Sequence, residues 1–586
     1  MLRSASVVAI LFPLGLAAAA DPPGVAIVPR PAVVEPRAGR FVLRADSVIV
    51  VERALENEAR LLAATLAPAT GYALEVALAR SPRQLRRRRG LCRKKPRDPS
   101  ACRSWIWLTT VRSRRIDPEA YRLDVLPGGV VVRARDGAGA FYGTQSFRQL
   151  LPPAIFSPAF VPATEWSAPG LRVVDRPRFG WRGAMLDSAR HFMPKEAVKK
   201  LIDLLAVHKL NRFHWHLSDD QGWRIQIQKY PRLTEIGSSR AQSPVRMLPH
   251  GAFLNFFVNG FLTGRPTTFD GAAHAGFYTQ EDVREIVAYA AERHVAVVPE
   301  IDMPGHISSA IAAYPELGNT GQPIPVQIDF GIHPDILNVR EETFAFFQDV
   351  LDEVMGLFPG DFLHLGGDEV RMTQWEQSAD AQTRMAELGF TDEHQLATYF
   401  TNRMGAFVTG HGRRYIGWNE ILRDGLAPDA AVMSWTSQAP GIDAARAGRD
   451  VVMAPLLETY FDHPNALPLP PVEHALLGSF VNPAGLGVFV TGVEEAYGFE
   501  PVPDELSKEE GARVLGAQGQ LWSEWILDAR DVERAGFPRL AALSEAVWTP
   551  VARRDFADFS SRLATHLGRL EKLDVCYFGS PAAACL

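Results

Sequence analysis

Cysteine is scarce in this chain, with 4 among 586 residues. The four fall as two local pairs, Cys92 with Cys102 and Cys576 with Cys585, and none belongs to a CxxC pattern. That spacing argues against a cysteine-built zinc site or a dithiol redox centre. Long apolar runs are scarce too. The run VVAILFPLGL (7–16) is too short to span a bilayer stably, and no later stretch reads as a membrane helix. Neither sign of charge dominates. A net charge of −5 gives no reason to expect nucleic acid or an anionic membrane as partner. No GxGxxG or GxxxxGK turn is present to mark a nucleotide-binding sheet.

What is present begins with a leader. Arg3, the apolar run 7–16 and Ala18-Ala19-Ala20 before Asp21 have the three parts of a secretory signal, so residues 1–20 are expected to direct export to periplasm or medium. No Cys follows to carry a lipid anchor. Export permits disulfides. Cys92–Cys102 and Cys576–Cys585 are the economical pairing, with other pairings left open. The length suits a large enzyme core plus an accessory domain. Residues 21–170 read as a small α+β domain. FVLRADSVIVV (41–51) reads as a strand, YRLDVLPGGVVVRARD (121–136) as a hairpin turning at Pro127-Gly128-Gly129, and 137–152 as a helix. The basic tract RQLRRRRGLCRKKPR (83–97) lacks interleaved aromatics. It reads as a solvated insertion rather than a polyanion site.

From residue 171 to 586 the rhythm changes. Short apolar runs at 181–187, 211–217, 295–302, 361–367, 413–418, 430–435, 450–455 and 514–522 alternate with helical stretches. In the stretch 195–208, Val198, Leu201, Ile202 and Leu205 keep the spacing of an amphipathic helix. Thr279 with Asp282 marks a helix start, and 341–358 is a further helix. Eight runs alternating with helices predict a parallel (β/α)8 barrel with a C-terminal extension, an open doubly wound sheet being the alternative. Such barrels place their chemistry at the carboxyl ends of the strands. Polar and aromatic residues collect there: Asp187 and Arg190, Asp219 and Asp220, His306, Asp368 and Glu369, Trp418, Trp435, Tyr460 and Asp462, and Trp522. In HLGGDEV (364–370) an apolar run, two glycines and two adjacent carboxylates follow one another. Glycines there permit a tight turn or a close approach, and carboxylates delivered by a buried strand suggest catalysis rather than solubility.

Five ordered motifs, WRGAMLDSARHF (181–192), HWHLSDDQGWR (214–224), DMPGH (302–306), HLGGDE (364–369) and LWSEW (521–525), together resemble the family-20 glycoside hydrolases, the β-N-acetylhexosaminidases. The resemblance runs through the barrel region, and 137–151 resembles the end of the α+β domain preceding it in that family. It implies substrate-assisted retaining hydrolysis, in which the 2-acetamido oxygen of the sugar is the nucleophile. It further implies Glu369 as general acid and base, Asp368 as acceptor of the acetamide N–H, and Asp219 with His306 as a pair contacting the acid. Tyr460 would align the acetamide oxygen. Arg190, Asp462 and Glu524 would hold sugar hydroxyls, with Trp418, Trp435 and Trp522 as aromatic walls. A carbohydrate with a terminal N-acetylhexosamine is the implied partner, with no cofactor and no metal. Glu369 is expected to be raised by burial and a neighbouring carboxylate, whereas Asp368 needs donors to stay ionised.

Two stretches depart from a minimal pattern. Ser238–Tyr278 is long and reads as an enlarged loop over the active face. The stretch 490–504 reads as a second loop, with Tyr497 or Phe499 placed to stack on a further sugar. Two other readings compete. His214-x-His216 on a strand, with His306 and Asp368, could build a metal-dependent hydrolase. A carbohydrate-binding protein with a retired barrel site is the non-enzymatic alternative.

Overall fold

The computed structural model describes residues 25–78, 104–111, 116–246, 267–465, 490–581 and 585. The leader, the basic tract and the Cys92–Cys102 pair lie outside them. Among the described residues no helix is long and apolar enough to cross a membrane. The second expected disulfide, Cys576–Cys585, is formed.

Strands β1 (Val33–Val42), β2 (Val48–Val51), β3 (Glu75–Leu78), β4 (Trp105–Thr110), β5 (Tyr121–Leu126), β6 (Gly129–Ala134) and β7 (Ser167–Asp175) form one sheet in the order β1-β7-β5-β6-β4-β2-β3. The expected hairpin is β5–β6, with Leu126 opposite Gly129. The stretch 41–51 is not one strand. Phe41 and Val42 end β1 against β7, a turn closes from Ser47 N to Arg44 O, and Val48–Val51 pairs instead with β3 and β4. The polar Arg44-Ala45-Asp46 segment cannot enter the sheet ahead of the four buried residues Val48–Val51, so the chain turns there. Helix Gly137–Leu150 packs on this sheet. Every residue from Gly139 to Leu150 is buried, because the barrel covers its other side.

The barrel strands are β8 (Trp181–Asp187), β9 (Arg212–His216), β10 (Ala296–Glu300), β11 (Phe362–His364), β12 (Arg414–Trp418), β13 (Ala431–Ser434), β14 (Val451–Met453) and β15 (Val514–Leu521). Each falls within one of the eight apolar runs. All neighbours are parallel, and β15 closes on β8 from Gly516↔Trp181 to Leu521↔Leu186. Strands walled on both faces read as continuous apolar runs, and that is why their positions were visible. Helix Lys195–Val207 buries Val198, Leu201, Ile202 and Leu205, and Thr279 with Asp282 forms a complete capping box on helix Gln280–Glu292.

A buried polar cluster joins the sheet to the barrel. Lys209 Nζ lies 3.1 Å from Asp175 Oδ2 and donates to Tyr121 Oη at 2.9 Å. Tyr121 Oη and Trp548 Nε1 both donate to Asp175, at 2.6 and 3.1 Å. Both ionic side chains are fully buried, so removing one leaves the other charge without compensation. Asp175→Ala is expected to destabilise the protein by about 3–5 kcal/mol. The urea midpoint followed by tryptophan fluorescence measures this, and an unchanged midpoint would show that the junction does not depend on the pair.

Candidate active site

The turn after β11 sets the geometry. Gly366 and Gly367 take φ of +65° and +96°. A Cβ on Gly366 would fall 1.7 Å from Asp302 Oδ1, so the position excludes any side chain. Gly367 N donates to the same oxygen at 3.0 Å. The next two residues are Asp368 and Glu369. Glu369 and the facing His306 both hold left-handed backbone, φ +50° and +48°, which non-glycine residues rarely adopt.

A cavity of about 530 Å³ opens beside this turn. Arg190, His306, Asp368, Glu369, Tyr460, Asp462 and Glu524 line it together with Trp418, Trp435 and Trp522. Ten of the eleven expected site residues therefore meet in one pocket. The eleventh, Asp219, lies immediately behind it. The rings form a continuous wall: Trp418 and Trp522 have centroids 5.6 Å apart, and Trp435 stacks on Tyr460 at 6.0 Å. Trp435 Nε1 donates to both oxygens of Glu420, at 3.1 and 2.9 Å, which fixes the plane of the indole. The expected enlarged loop begins beside this mouth. Ser239–Arg240 pairs with His274–Ala275, and Arg246 donates to the carbonyl of the pocket residue Trp525 at 3.2 Å.

Charged side chains behind the wall hold one another. Arg190 Nη2 lies 2.8 Å from Asp219 Oδ2, and Nη1 lies 3.3 Å from Asp187 Oδ2. Its Nε donates to Gln221 at 3.0 Å, and the guanidinium lies 5.0 Å from the Trp522 ring. Burial raises the Asp219 carboxyl, but the Arg190 and His306 cations outweigh this and hold it well below the usual carboxylate range. His306 Nδ1 faces two carboxylates, Asp220 Oδ2 at 3.2 Å and Asp219 Oδ1 at 3.4 Å. The nearer is Asp220, which also accepts from the Ser308 amide and hydroxyl at 2.9 and 2.6 Å. On its other side His306 Nε2 lies 3.4 Å from Glu369 Oε2 and 3.8 Å from Asp368 Oδ2. Burial lowers the His306 imidazole, and Asp219 and Asp368 outweigh it, so the ring is raised well above its ordinary value.

Three carboxylate oxygens of cavity-lining residues are left over. Asp368 Oδ1, Asp462 Oδ1 and Glu524 Oε2 are buried atoms with no hydrogen-bond partner among the described residues. All three belong to residues of the one cavity, and such atoms call for a ligand that donates. Burial pushes the Asp368 carboxyl well above its ordinary range, and the nearby Asp302 carboxyl adds to the rise. The donors expected to keep Asp368 ionised are absent from Oδ1, so an N–H brought by the ligand would restore the carboxylate. Burial likewise raises Asp462, with the Glu524 charge adding to it.

Several expectations need correction. Tyr497 and Phe499 do not reach the pocket. Helix Val493–Gly498 carries Tyr497 into the core, where it stacks on Phe559 at 4.8 Å and accepts from Asp555 N at 2.6 Å. Glu369 is not fully buried, since its side chain is 33% exposed. A seated ligand would complete its desolvation. His214 and His216 share a face but turn toward Glu300 inside the barrel, whereas His306 groups with Asp368 and Glu369. The four are not brought together as one metal centre. Sequence reasoning missed Glu300, Asp302, Glu420 and Gln221. An acid inside an apolar strand run, as in VAVVPEID, was the available signal for Glu300 and Asp302.

Comparison with known proteins places these features in a family. Residues 179–551 match the model of the glycosyl hydrolase family 20 catalytic domain, and residues 24–176 match glycosyl hydrolase family 20, domain 2. A beta-hexosaminidase of Porphyromonas gingivalis is 40% identical over 463 residues, which cover 78% of this chain and 54% of that protein. The chain thus spans about half the length of that relative. A beta-N-acetylhexosaminidase of Cellulomonas fimi is 31% identical, covering 95% of this chain and 97% of its own length. The structure of a mutant Streptomyces plicatus beta-hexosaminidase in complex with product, GlcNAc, superposes with a TM-score of 0.76 at 30% identity, covering 96% and 98% of the two chains. With both of its domains matched and the barrel site assembled, the chain belongs to glycosyl hydrolase family 20.

Proposed function

We propose that the protein is an exo-acting β-N-acetylhexosaminidase that removes terminal non-reducing N-acetylglucosamine, or N-acetylgalactosamine, by substrate-assisted retaining hydrolysis. The observation that carries this reading is the trio of unpartnered carboxylate oxygens in an aromatic-walled cavity beside Asp368 and Glu369. A sugar with an acetamide N–H and several hydroxyls supplies the donors that these oxygens lack.

The acetamide oxygen attacks the anomeric carbon as the glycosidic bond breaks, and Glu369 gives its proton to the departing oxygen. Asp368 accepts the acetamide N–H and steadies the positive charge that develops on the ring formed. Tyr460 donates to the acetamide oxygen and aims it. The imidazolium of His306, 3.4 Å from Glu369, stabilises the carboxylate left after the proton has gone. Water then adds to the anomeric carbon, Glu369 takes its proton, and the acetamide is released intact. Arg190, Asp462 and Glu524 hold the hydroxyls at the far end, where a chain continuing beyond the sugar would meet them. Relatives named beta-hexosaminidase and a neighbour holding GlcNAc support the substrate class. Export is part of the same proposal, supported by the leader-like residues 1–20 and the disulfide Cys576–Cys585. Whether chitooligosaccharides, glycoprotein glycans, glycolipids or peptidoglycan fragments are the natural source is approached by comparing chitobiose with paired aryl substrates.

Glu369→Gln is expected to lower kcat on an aryl N-acetyl-β-glucosaminide by roughly 10²–10⁴-fold with N-acetylglucosamine binding retained. Unchanged hydrolysis would remove Glu369 from its role. Tyr460→Phe should cost about 10²–10³ in kcat with a small change in KM. A thiazoline analogue of N-acetylglucosamine should bind much more tightly than substrate. Weak inhibition together with a trapped glycosyl-protein adduct would instead assign the attack to a side chain.

A further inference from the structure

Glu300 ends β10 and is fully buried inside the barrel. It lies too deep to touch a sugar in the cavity and is not among the lining residues. Four side chains from three other strands converge on it. Its Oε2 binds His216 Nδ1 and lies 3.0 Å from His214 Nε2. Its Oε1 lies 2.9 Å from His364 Nδ1 and accepts from Trp418 Nε1 at 2.8 Å. From His216 the contacts run outward. Nε2 lies 2.9 Å from Asp219 Oδ2, Asp219 Oδ1 lies 3.4 Å from His306 Nδ1, and His306 Nε2 lies 3.4 Å from Glu369 Oε2. Acid and imidazole thus alternate through five residues, from the barrel interior to the group assigned as proton donor.

Packing alone does not account for this arrangement. A carboxylate in a closed interior costs several kcal/mol unless it is paired, and an apolar side chain would fill the space without that penalty. The pairing has a chemical consequence. Both ring nitrogens of His216 face carboxylates, so both must carry protons. Burial lowers this imidazole, but Glu300 and Asp219 outweigh it and push it up to about 10. Burial raises Glu300 in turn, and His216, His364 and His214 outweigh that and hold it well below the carboxylate range. The remaining charges facing Glu300 are those of Asp302 and Asp368, both of which the Glu300 carboxylate helps to raise. A neutral group at 300 would let the His216 ring lose its Nδ1 proton; the Nε2–H would still donate to Asp219, but from a neutral ring, so Asp219 would lose the adjacent positive charge.

We propose that Glu300 is a positioning residue of the hydrolytic reaction, fixing the His216 ring and through it Asp219, His306 and the orientation of Glu369. The same carboxylate fixes the Trp418 indole, so one buried group orders both the relay and a wall of the cavity. The proposal rests on the hydrolase reading for its catalytic part, but the His216 ring itself can be observed without turnover.

The experiment uses the whole chain with Glu300→Gln, which keeps the volume of the side chain, and with His216→Gln as a second entry to the same relay should the first variant fail to fold. Proton NMR of the wild type should show a far-downfield, exchange-protected imidazole N–H that persists above pH 8. It should be lost in either variant. On an aryl N-acetyl-β-glucosaminide, either variant should lower kcat by about 10–100-fold with KM nearly unchanged and shift one limb of the pH–rate profile. Combining Glu300→Gln with Asp219→Asn should cost little more than Asp219→Asn alone. A KM increase with kcat and profile unmoved, or losses that multiply in the double variant, would overturn the proposal. So would an unaltered downfield resonance. A wild-type protein that shows the resonance but does not cleave the glycoside would refute the hydrolase reading and, with it, only the catalytic half of this inference.

Discussion

The close approach of Asp302 to the backbone after β11 is the constraint on which the site depends. The carboxylate of Asp302 occupies the volume that any side chain on Gly366 would need, and it binds the amide of Gly367. The chain is thereby forced through two left-handed glycines and delivers Asp368 and Glu369 side by side at the rim of the barrel. One of the two turns inward beside Asp302 and is buried. The other faces His306 and remains partly open to solvent. A single turn thus gives adjacent, chemically identical groups different environments, and this allows them different tasks.

The second organising fact is that the buried charges around this site are held by opposite charge or by hydrogen-bonding partners. Arg190 sits among Asp187, Asp219 and Gln221, His306 between two pairs of carboxylates, and Glu300 among three imidazoles. Among the carboxylates that line the cavity, the exceptions are the unpartnered oxygens of Asp368, Asp462 and Glu524. Each imposes a desolvation cost that only a bound partner relieves, and all three face one space. In the proposed function, specificity for a hydroxylated, amide-bearing sugar follows from what the protein leaves unsatisfied as much as from what it positions.

The barrel was legible in the sequence because its strands are buried on both faces and appear as uninterrupted apolar runs between amphipathic helices. The dyad was legible because two glycines and two acids follow such a run directly. Less could be read where a side chain's direction decides the matter. Tyr497 and Phe499, in a Gly- and Pro-containing stretch, look like pocket aromatics, yet a short helix turns Tyr497 onto Phe559. Asp219 and Asp220 are neighbours, and only the fold shows that the latter lies nearer His306. Glu300 reads as the polar end of a strand. Its partner His216 stands 84 residues away, and no local pattern announces that meeting.

Helix Gly137–Leu150 has almost no side of its own facing water, being claimed by the sheet beneath and the barrel above. Tyr142 meets Trp548 at 5.2 Å and Phe141 meets His294 at 5.5 Å across that boundary. The accessory domain is therefore less an appendage than the missing wall of the catalytic one. A barrel produced without it would bare a greasy strip along its flank and would clump before its chemistry could be assayed.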